Sequence, residues 1–240
     1  MLISQAMRTL ALALALTLAM GSLSFGATIN GTVVFDGRPP TLPSLKMSGD
    51  AKCEAAHAES PSTEILVLGE GQTVANIFVE IKSGLPERDY LVPAEPVVVT
   101  QAGCVFNPHV FGVRAGQPIE FQNPDGTLHN INARARVNRG FNLSMPGFRK
   151  TTTREFAKAE PMFSISCDVH AWMTSWCAVV DHPFFDVTAK DGKFSIEGLE
   201  AGTYEIEAWH ERMGAQTATI TLEAGETKTH DFAFSRSSKR

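Results

Sequence analysis

Cys167, His170 and Met173 follow one another at three-residue steps in the run Cys-Asp-Val-His-Ala-Trp-Met, and His129 lies upstream in Leu128-His129-Asn130. A thiolate and two imidazoles are the donors of a trigonal copper plane, and a distant thioether on the axis completes an electron-transfer type of site. The three-residue step lets one tight loop turn a sulfur, an imidazole and a thioether toward a common point. His129 has to come from a second strand, because a rigid site needs an anchor off that loop. The candidate metal ligands are therefore His129, Cys167, His170 and Met173, for one copper cycling between Cu(II) and Cu(I). Zinc is the competing metal, but it takes four firm donors of Cys, His or carboxylate type, and Met is a poor one. Asp168 is the carboxylate at hand, and as the neighbour of Cys167 it should point away along the strand.

Holding such ligands calls for stiff elements, and the chain after Ala27 reads almost entirely as short strands. Period-two alternation punctuated by Gly, Pro, Asn and Asp marks Ile29–Phe35, Ile77–Lys82, Pro96–Thr100, Ile119–Asn123, Phe163–Cys167, Lys193–Glu197, Thr203–Trp209 and Thr217–Leu222. Helical composition is confined to Asp50–His57 and a weak stretch near Thr153–Ala159. Many short strands at turn-rich spacing predict an all-β sandwich or barrel architecture. The alternating strand that runs into Cys167 would be the arm that holds the thiolate.

Residues 1–26 read as a secretory signal peptide. Arg8 supplies the basic region, Thr9–Met20 is nearly unbroken Leu and Ala, and small residues precede Ala27. The apolar run is short for a membrane span, although an uncleaved anchor is the alternative. Export would place the protein in the periplasm or outside the cell. The formal net charge is −5 without basic runs, a poor footprint for nucleic-acid binding. The remaining length suits one large or two small domains.

Two family resemblances overlap on this frame. From Glu95 to about Val180, Asn107-Pro108, the segment Val113-Arg114-Ala115-Gly116-Gln117-Pro118-Ile119-Glu120-Phe121-Gln122-Asn123, His129-Asn130 and then Cys167, His170 and Met173 resemble the cupredoxins of the amicyanin and plastocyanin group. From about Val187 to Phe234, Asp191-Gly192-Lys193-Phe194-Ser195-Ile196, Gly198-Leu199 and Ala201-Gly202-Thr203-Tyr204-Glu205-Ile206 resemble the carboxypeptidase-regulatory-like, transthyretin-like sandwiches. The usual opening of that second module, Gly-x-Val and then Gly-x-Pro, is matched far upstream by Gly31-Thr32-Val33 and Gly37-Arg38-Pro39. The pair of resemblances implies a cupredoxin Greek-key β-sandwich plus a second, transthyretin-like β-sandwich. Its expected layout is a split sandwich over 27–90 and 181–240 with the cupredoxin domain, 91–180, inserted; a tandem order is the rival. The combination resembles exported bacterial methylamine-utilisation or plastocyanin-like proteins.

The cupredoxin resemblance also implies roles around the ligands. The Asn130 side chain would tie the two ligand loops together while its backbone N–H points at the sulfur, against a plain turn asparagine. The edge of His170 would lie at the surface in an apolar patch with Ala171 and Trp172, where redox partners dock; Trp172 reads equally as loop packing. His109 is expected to be structural, and His182 and His210 are structural candidates for hydrogen bonds across the domain boundary. Cys53 and Cys104 form a plausible disulfide joining the two modules, with Cys177 an unreactive apolar thiol. The rival bridge, Cys167 with Cys177, would abolish the copper site.

These expectations make the chain a non-enzymatic type 1 copper protein, a one-electron carrier between redox partners such as a cytochrome or dehydrogenase. The alternative is periplasmic copper handling, as a chaperone or store, although such proteins use several Met and His on flexible segments and Met145 is the one extra donor nearby. A structural-metal adhesion module finds no exposed aromatic platform, and a Cys167–His170 thiol enzyme lacks a placed third group.

Overall fold

The computed structural model describes residues 26–236. All but the last residue of the expected signal peptide lies outside them. Among the described residues no helix is long and apolar enough to cross a membrane.

In chain order the elements begin with β1 (Ala27–Asp36), the short helix α1 (Ala51–Ala55) and β2 (Phe78–Ser83). Then come β3 (Val97–Thr100), β4 (Val110–Arg114), β5 (Ile119–Gln122), β6 (His129–Ala133), β7 (Phe141–Met145), β8 (Thr151–Arg154), β9 (Glu160–Ser166) and β10 (Thr174–Val180). The chain closes with β11 (Phe185–Val187), β12 (Lys193–Leu199), β13 (Gly202–His210), β14 (Gly214–Leu222), β15 (Thr227–Thr229) and β16 (Phe232–Ser235). The architecture is all-β, and the strands read from alternation recur within a few residues of their expected ends. The stretch near Thr153–Ala159 is not helical. Its one threonine, Thr153, belongs to β8, paired antiparallel with β5, where β-branched side chains suit the pleat.

Strands from both ends of the chain make one sandwich. β1 runs antiparallel to β12 and parallel to β15 and β16, while the facing sheet has the order β11-β2-β13-β14. Between them lies a core of Ile29, Val33, Ile77, Val79, Ile81, Tyr204, Ile206 and Phe234. The alternation is visible in β1, whose residues change between buried and half-buried along its length.

The strands between β2 and β11 form two further sheets, β4-β10-β9-β6-β7 and β3-β5-β8. They enclose a second core that includes Phe106, Val113, Phe121, Ile131, Phe156 and Ile165. Met47 and Cys53 are buried in this second core. Residues 27–90 are therefore not confined to the transthyretin-like half as expected. The long connection after β1 crosses over and lays α1 against the other core. The Cys53–Cys104 disulfide accordingly closes a loop inside one core instead of stapling two modules. Cys167 and Cys177 are free and buried, so the rival bridge is absent.

A small apolar seam of Phe78, Val110, Ala178 and Val180, flanked by Phe185 and Trp209, joins the two halves. Gly112 makes this approach possible: a Cβ there would lie 2.5 Å from the Phe185 ring and 2.7 Å from that of Phe78. His182 and His210, read as structural, accept nearby backbone N–H groups, His182 from Phe184 and His210 from Arg212 and Met213. His109 crosses between the halves. Its Nε2 lies 2.7 Å from Oε1 of Glu211, whose Oε2 accepts from Trp176 Nε1 at 2.9 Å.

Burial pulls the His109 pKa down, but Glu211 outweighs it and the net shift is upward. Burial pushes Glu211 up, but His109 outweighs it and the net shift is downward. The contribution of His109 is thus complete below its ordinary value and fades as pH rises through its raised one. That of Glu211 is complete above its ordinary value and fades as pH falls through its depressed one. Thermal melts should show the pair's contribution largest between about 4.5 and 6.5, the two ordinary values. Removing one member of a buried pair costs about 3–5 kcal/mol. Glu211→Ala should approach the lower end of that range and flatten the alkaline decline in Tm.

Candidate metal centre

The Cys-x-x-His-x-x-Met run is the turn of a hairpin. β9 ends at Ser166, β10 starts at Thr174, and these two residues face each other in the ladder. Within the turn the Met173 N–H donates to the His170 carbonyl at 2.9 Å and the Cys167 N–H to the Met173 carbonyl at 3.2 Å. The two strands therefore fix the ends of the ligand loop. His129 opens β6, which is paired with β7 on one side and β9 on the other.

All four candidate ligands are buried. Nδ1 of His129 and Nδ1 of His170 are 3.0 Å apart, and the Cys167 sulfur is 3.8 Å from the latter. Ligand atoms of these three residues all fall within 4.8 Å of one another. With metal bonds of about 2.0 Å to nitrogen and about 2.3 Å to sulfur, near-trigonal angles need separations of roughly 3–4 Å. The donor set fits a single ion. Met173 is buried at the end of the same loop, in the same core as Cys167.

A thiolate in so dry a place needs compensation. Burial pushes the Cys167 thiol up, but His129 and the backbone N–H groups of Asn130, Val169 and His170 outweigh it, leaving a net downward shift. In turn burial draws His129 down, but Asp125 and the Cys167 sulfur raise it to about 9. Each of the two groups favours the charged form of the other. Cys177 has no such partners, and burial drives its pKa well above the ordinary thiol value.

Asn130 has both implied roles. Its N–H faces the Cys167 sulfur, and its side-chain oxygen accepts the Asp168 N–H at 2.6 Å, joining the two ligand segments. Asp168 is directed away from the metal donors as expected. Its carboxylate accepts from Asn130, Asn132 and Asn142 at 2.6–3.2 Å, so its acceptors are already engaged and it does not serve as a fourth zinc ligand.

Two carboxylates found only by folding complete the centre. Asp125 Oδ2 lies 2.9 Å from His129 Nε2, and its two oxygens also accept the N–H groups of Gly103 and Cys104. Asp50 Oδ2 lies 3.3 Å from His170 Nε2, beside the Cys53 sulfur at 3.5 Å. Asp50 is also the N-cap of α1, accepting from Lys52 and Cys53, and Lys52 Nζ donates to the Gly126 carbonyl. The helix and its disulfide consequently roof the second histidine. His170 is 2 % exposed, which corrects the expectation of a surface edge shared with Ala171 and Trp172. Trp172 is half-buried and donates to the Cys104 carbonyl at 2.9 Å, tying the ligand loop to the disulfide turn.

Residues 183–235 match the carboxypeptidase regulatory-like domain. No curated protein sequence matches the chain. Among solved structures the chain is similar to the Cu(I) form of an amicyanin variant, at 20 % identity over 42 % of this chain and 98 % of that one, with a TM-score of 0.33. It is similar to a purple cupredoxin from Nitrosopumilus maritimus at 16 % identity over 35 % of this chain and 99 % of that one, with a TM-score of 0.29. A Cu-containing nitrite reductase from Thermus scotoductus SA-01 matches at 18 % identity over 42 % of this chain, with a TM-score of 0.34, and the chain spans 26 % of its length.

A carboxylate on the far nitrogen of a ligating imidazole raises its basicity and fixes its direction, and losing one commonly weakens metal binding about 10–100-fold. A more basic imidazole favours the higher charge on the metal. Asp125→Asn should therefore raise the reduction potential of the copper-loaded protein and weaken its Cu(II) affinity by about ten-fold or more. Voltammetry and competitive chelation check the two effects.

Proposed function

We propose that the chain is an exported one-electron carrier, with one copper held by His129, Cys167, His170 and Met173. The observation that carries the reading is the convergence of three buried ligand atoms on one point, with His129 and backbone N–H groups directed at the sulfur. Copper there would supply a Cu(II)/Cu(I) couple. The chain's own residues supply rigidity: the β9–β10 hairpin clamps the loop, β6 fixes His129, and the Asn130–Asp168 link joins them. A ligand set held this firmly changes little when its charge changes, which is what one-electron exchange requires. Burial of all four ligands speaks against copper handling, since a chaperone must give its ion up through accessible donors. The Cys53–Cys104 disulfide supports a periplasmic or secreted location, because disulfides persist in oxidising compartments.

Partner contact has to avoid the roof over His170. Leu128 and Val169, each adjacent to a ligand histidine in sequence, are 44 % and 48 % exposed. We place protein redox partners on the surface they occupy, where small apolar interfaces allow brief encounters.

Visible and electron paramagnetic resonance spectra of the Cu(II)-loaded protein test the ligand set. An intense sulfur-to-copper band should vanish in Cys167→Ser and persist in Cys177→Ser. Loss of the band in Cys177→Ser would refute the assignment. Met173→Gln should keep copper but lower the potential, in line with an axial donor that tunes more than it binds.

Val169→Glu tests the contact surface. It should leave the spectrum in place and slow electron exchange with a cupredoxin-reactive cytochrome, because docking would then desolvate a charge. Thr219→Glu on the exposed side of β14 is the control and should change neither.

A further inference from the structure

A cleft of about 540 Å³ lies beside the metal centre, between the ligand loop and the transthyretin-like half. Its wall includes Met173 and Trp172 from the loop, Trp176 from β10 and Phe106 from the second core. The His109–Glu211 pair also borders it, and neither residue has a part in holding the metal. The volume falls within the range of roughly 300–1,000 Å³ usual for small-molecule sites.

The polar groups of the cleft define what would fit. Glu211 is the buried acceptor, with a side chain 9 % exposed. Each of its oxygens receives one hydrogen bond, from His109 and from Trp176, and each keeps a second lone pair. The neighbouring donors are engaged: His109 Nδ1 lies 3.1 Å from the Thr174 carbonyl, and the Trp176 indole N–H is on Glu211. This carboxylate can therefore accept from a donor that a ligand brings, and the unpartnered Thr63 hydroxyl also lines the cleft. Lys46 and Arg212 stand against Glu64 and Glu211 among the lining residues, so the wall favours neither an anion nor a cation. Indole and phenyl surfaces favour a flat ring.

We propose that this cleft binds a small neutral aromatic alcohol, of the phenol class, with its hydroxyl donating to Glu211 and its ring against Trp172 and Trp176. The ligand would lie on the Met173 side of the centre, opposite in character to the roofed His170 side. The site is built from protein groups alone, so it goes beyond the copper reading and does not need the metal to be present.

The test uses the metal-free full chain and two probes differing in one group, 4-methylphenol and 4-methylanisole. Titration is followed by tryptophan fluorescence and by the indole N–H signals in ¹H–¹⁵N spectra. The expected result is saturable binding of 4-methylphenol, at least ten-fold tighter than 4-methylanisole, with the largest shifts at Trp172 and Trp176. Glu211→Gln should remove that preference while leaving the weak 4-methylanisole binding in place, an outcome that general loosening of the fold would not give. Trp172→Ala, which leaves the His109–Glu211 pair intact, should weaken both probes. Equal affinity for the two probes, shifts centred elsewhere, or no saturation by 4-methylphenol would overturn the proposal. Since no copper is present, these outcomes are separate from the fate of the Cys167-dependent band.

Discussion

The buried sulfur of Cys167, which has to be a thiolate to hold a metal, is the constraint around which its half of the molecule is arranged. Taking an isolated anion out of water is prohibitive unless neighbouring groups replace what water supplied. Here the replacement is spread over backbone N–H groups of Asn130, Val169 and His170 and the imidazole of His129. The imidazole then needs its own counter-charge, which Asp125 provides. Asp125 in turn is positioned by the N–H groups of the disulfide turn, where Gly103 and Cys104 both have positive φ. Asparagine side chains gathered on Asp168 hold the Cys167 end of the ligand loop. Each group is satisfied by the next, so the site is rigid because its polar parts leave one another little freedom.

The transthyretin-like half contributes no ligand, yet it shapes the environment of the centre. Glu211 comes from the loop after β13 and meets His109 just ahead of β4. Tight packing at Gly112 brings the sheets close enough for this contact. Beyond the aromatic side chains at the seam, Phe78, Phe185, Trp176 and Trp209, a cleft remains beside Met173 where the two halves do not fill the space between them.

What was legible in the sequence followed from local pattern. Alternation revealed the strands, and the three-residue steps from Cys167 to Met173 revealed a loop that could gather donors, as the hairpin does. Asn130 could be read because it adjoins His129. Asp125 and Asp50 could not, since each sits in a polar turn or cap signal, Pro-Asp-Gly and Asp-Ala-Lys, that describes local backbone and says nothing of distant partners. The same limit explains the misplaced edge of His170: its cover comes from α1, more than a hundred positions away, and the pairing of Cys53 with Cys104 does not show which core receives it. Helical composition near Thr153–Ala159 was outweighed by pairing with β5, a contact that local propensity cannot anticipate.

The pairing of β1 has a consequence for how the chain comes to be folded. Its neighbours are β12, β15 and β16, so Asn30 bonds Thr229 and Thr32 bonds Asp231 across 199 positions. A contact between such distant segments forms late, because the loop it closes has to be gathered first. The intervening strands have a core of their own and can condense before the sandwich is complete. Until the last strands arrive, β1 presents an unpaired apolar edge, the kind of surface through which unfinished chains associate. Rapid condensation of the intervening core shortens that interval, so the intervening half acts as the internal clamp that brings the ends of the sandwich within reach of each other.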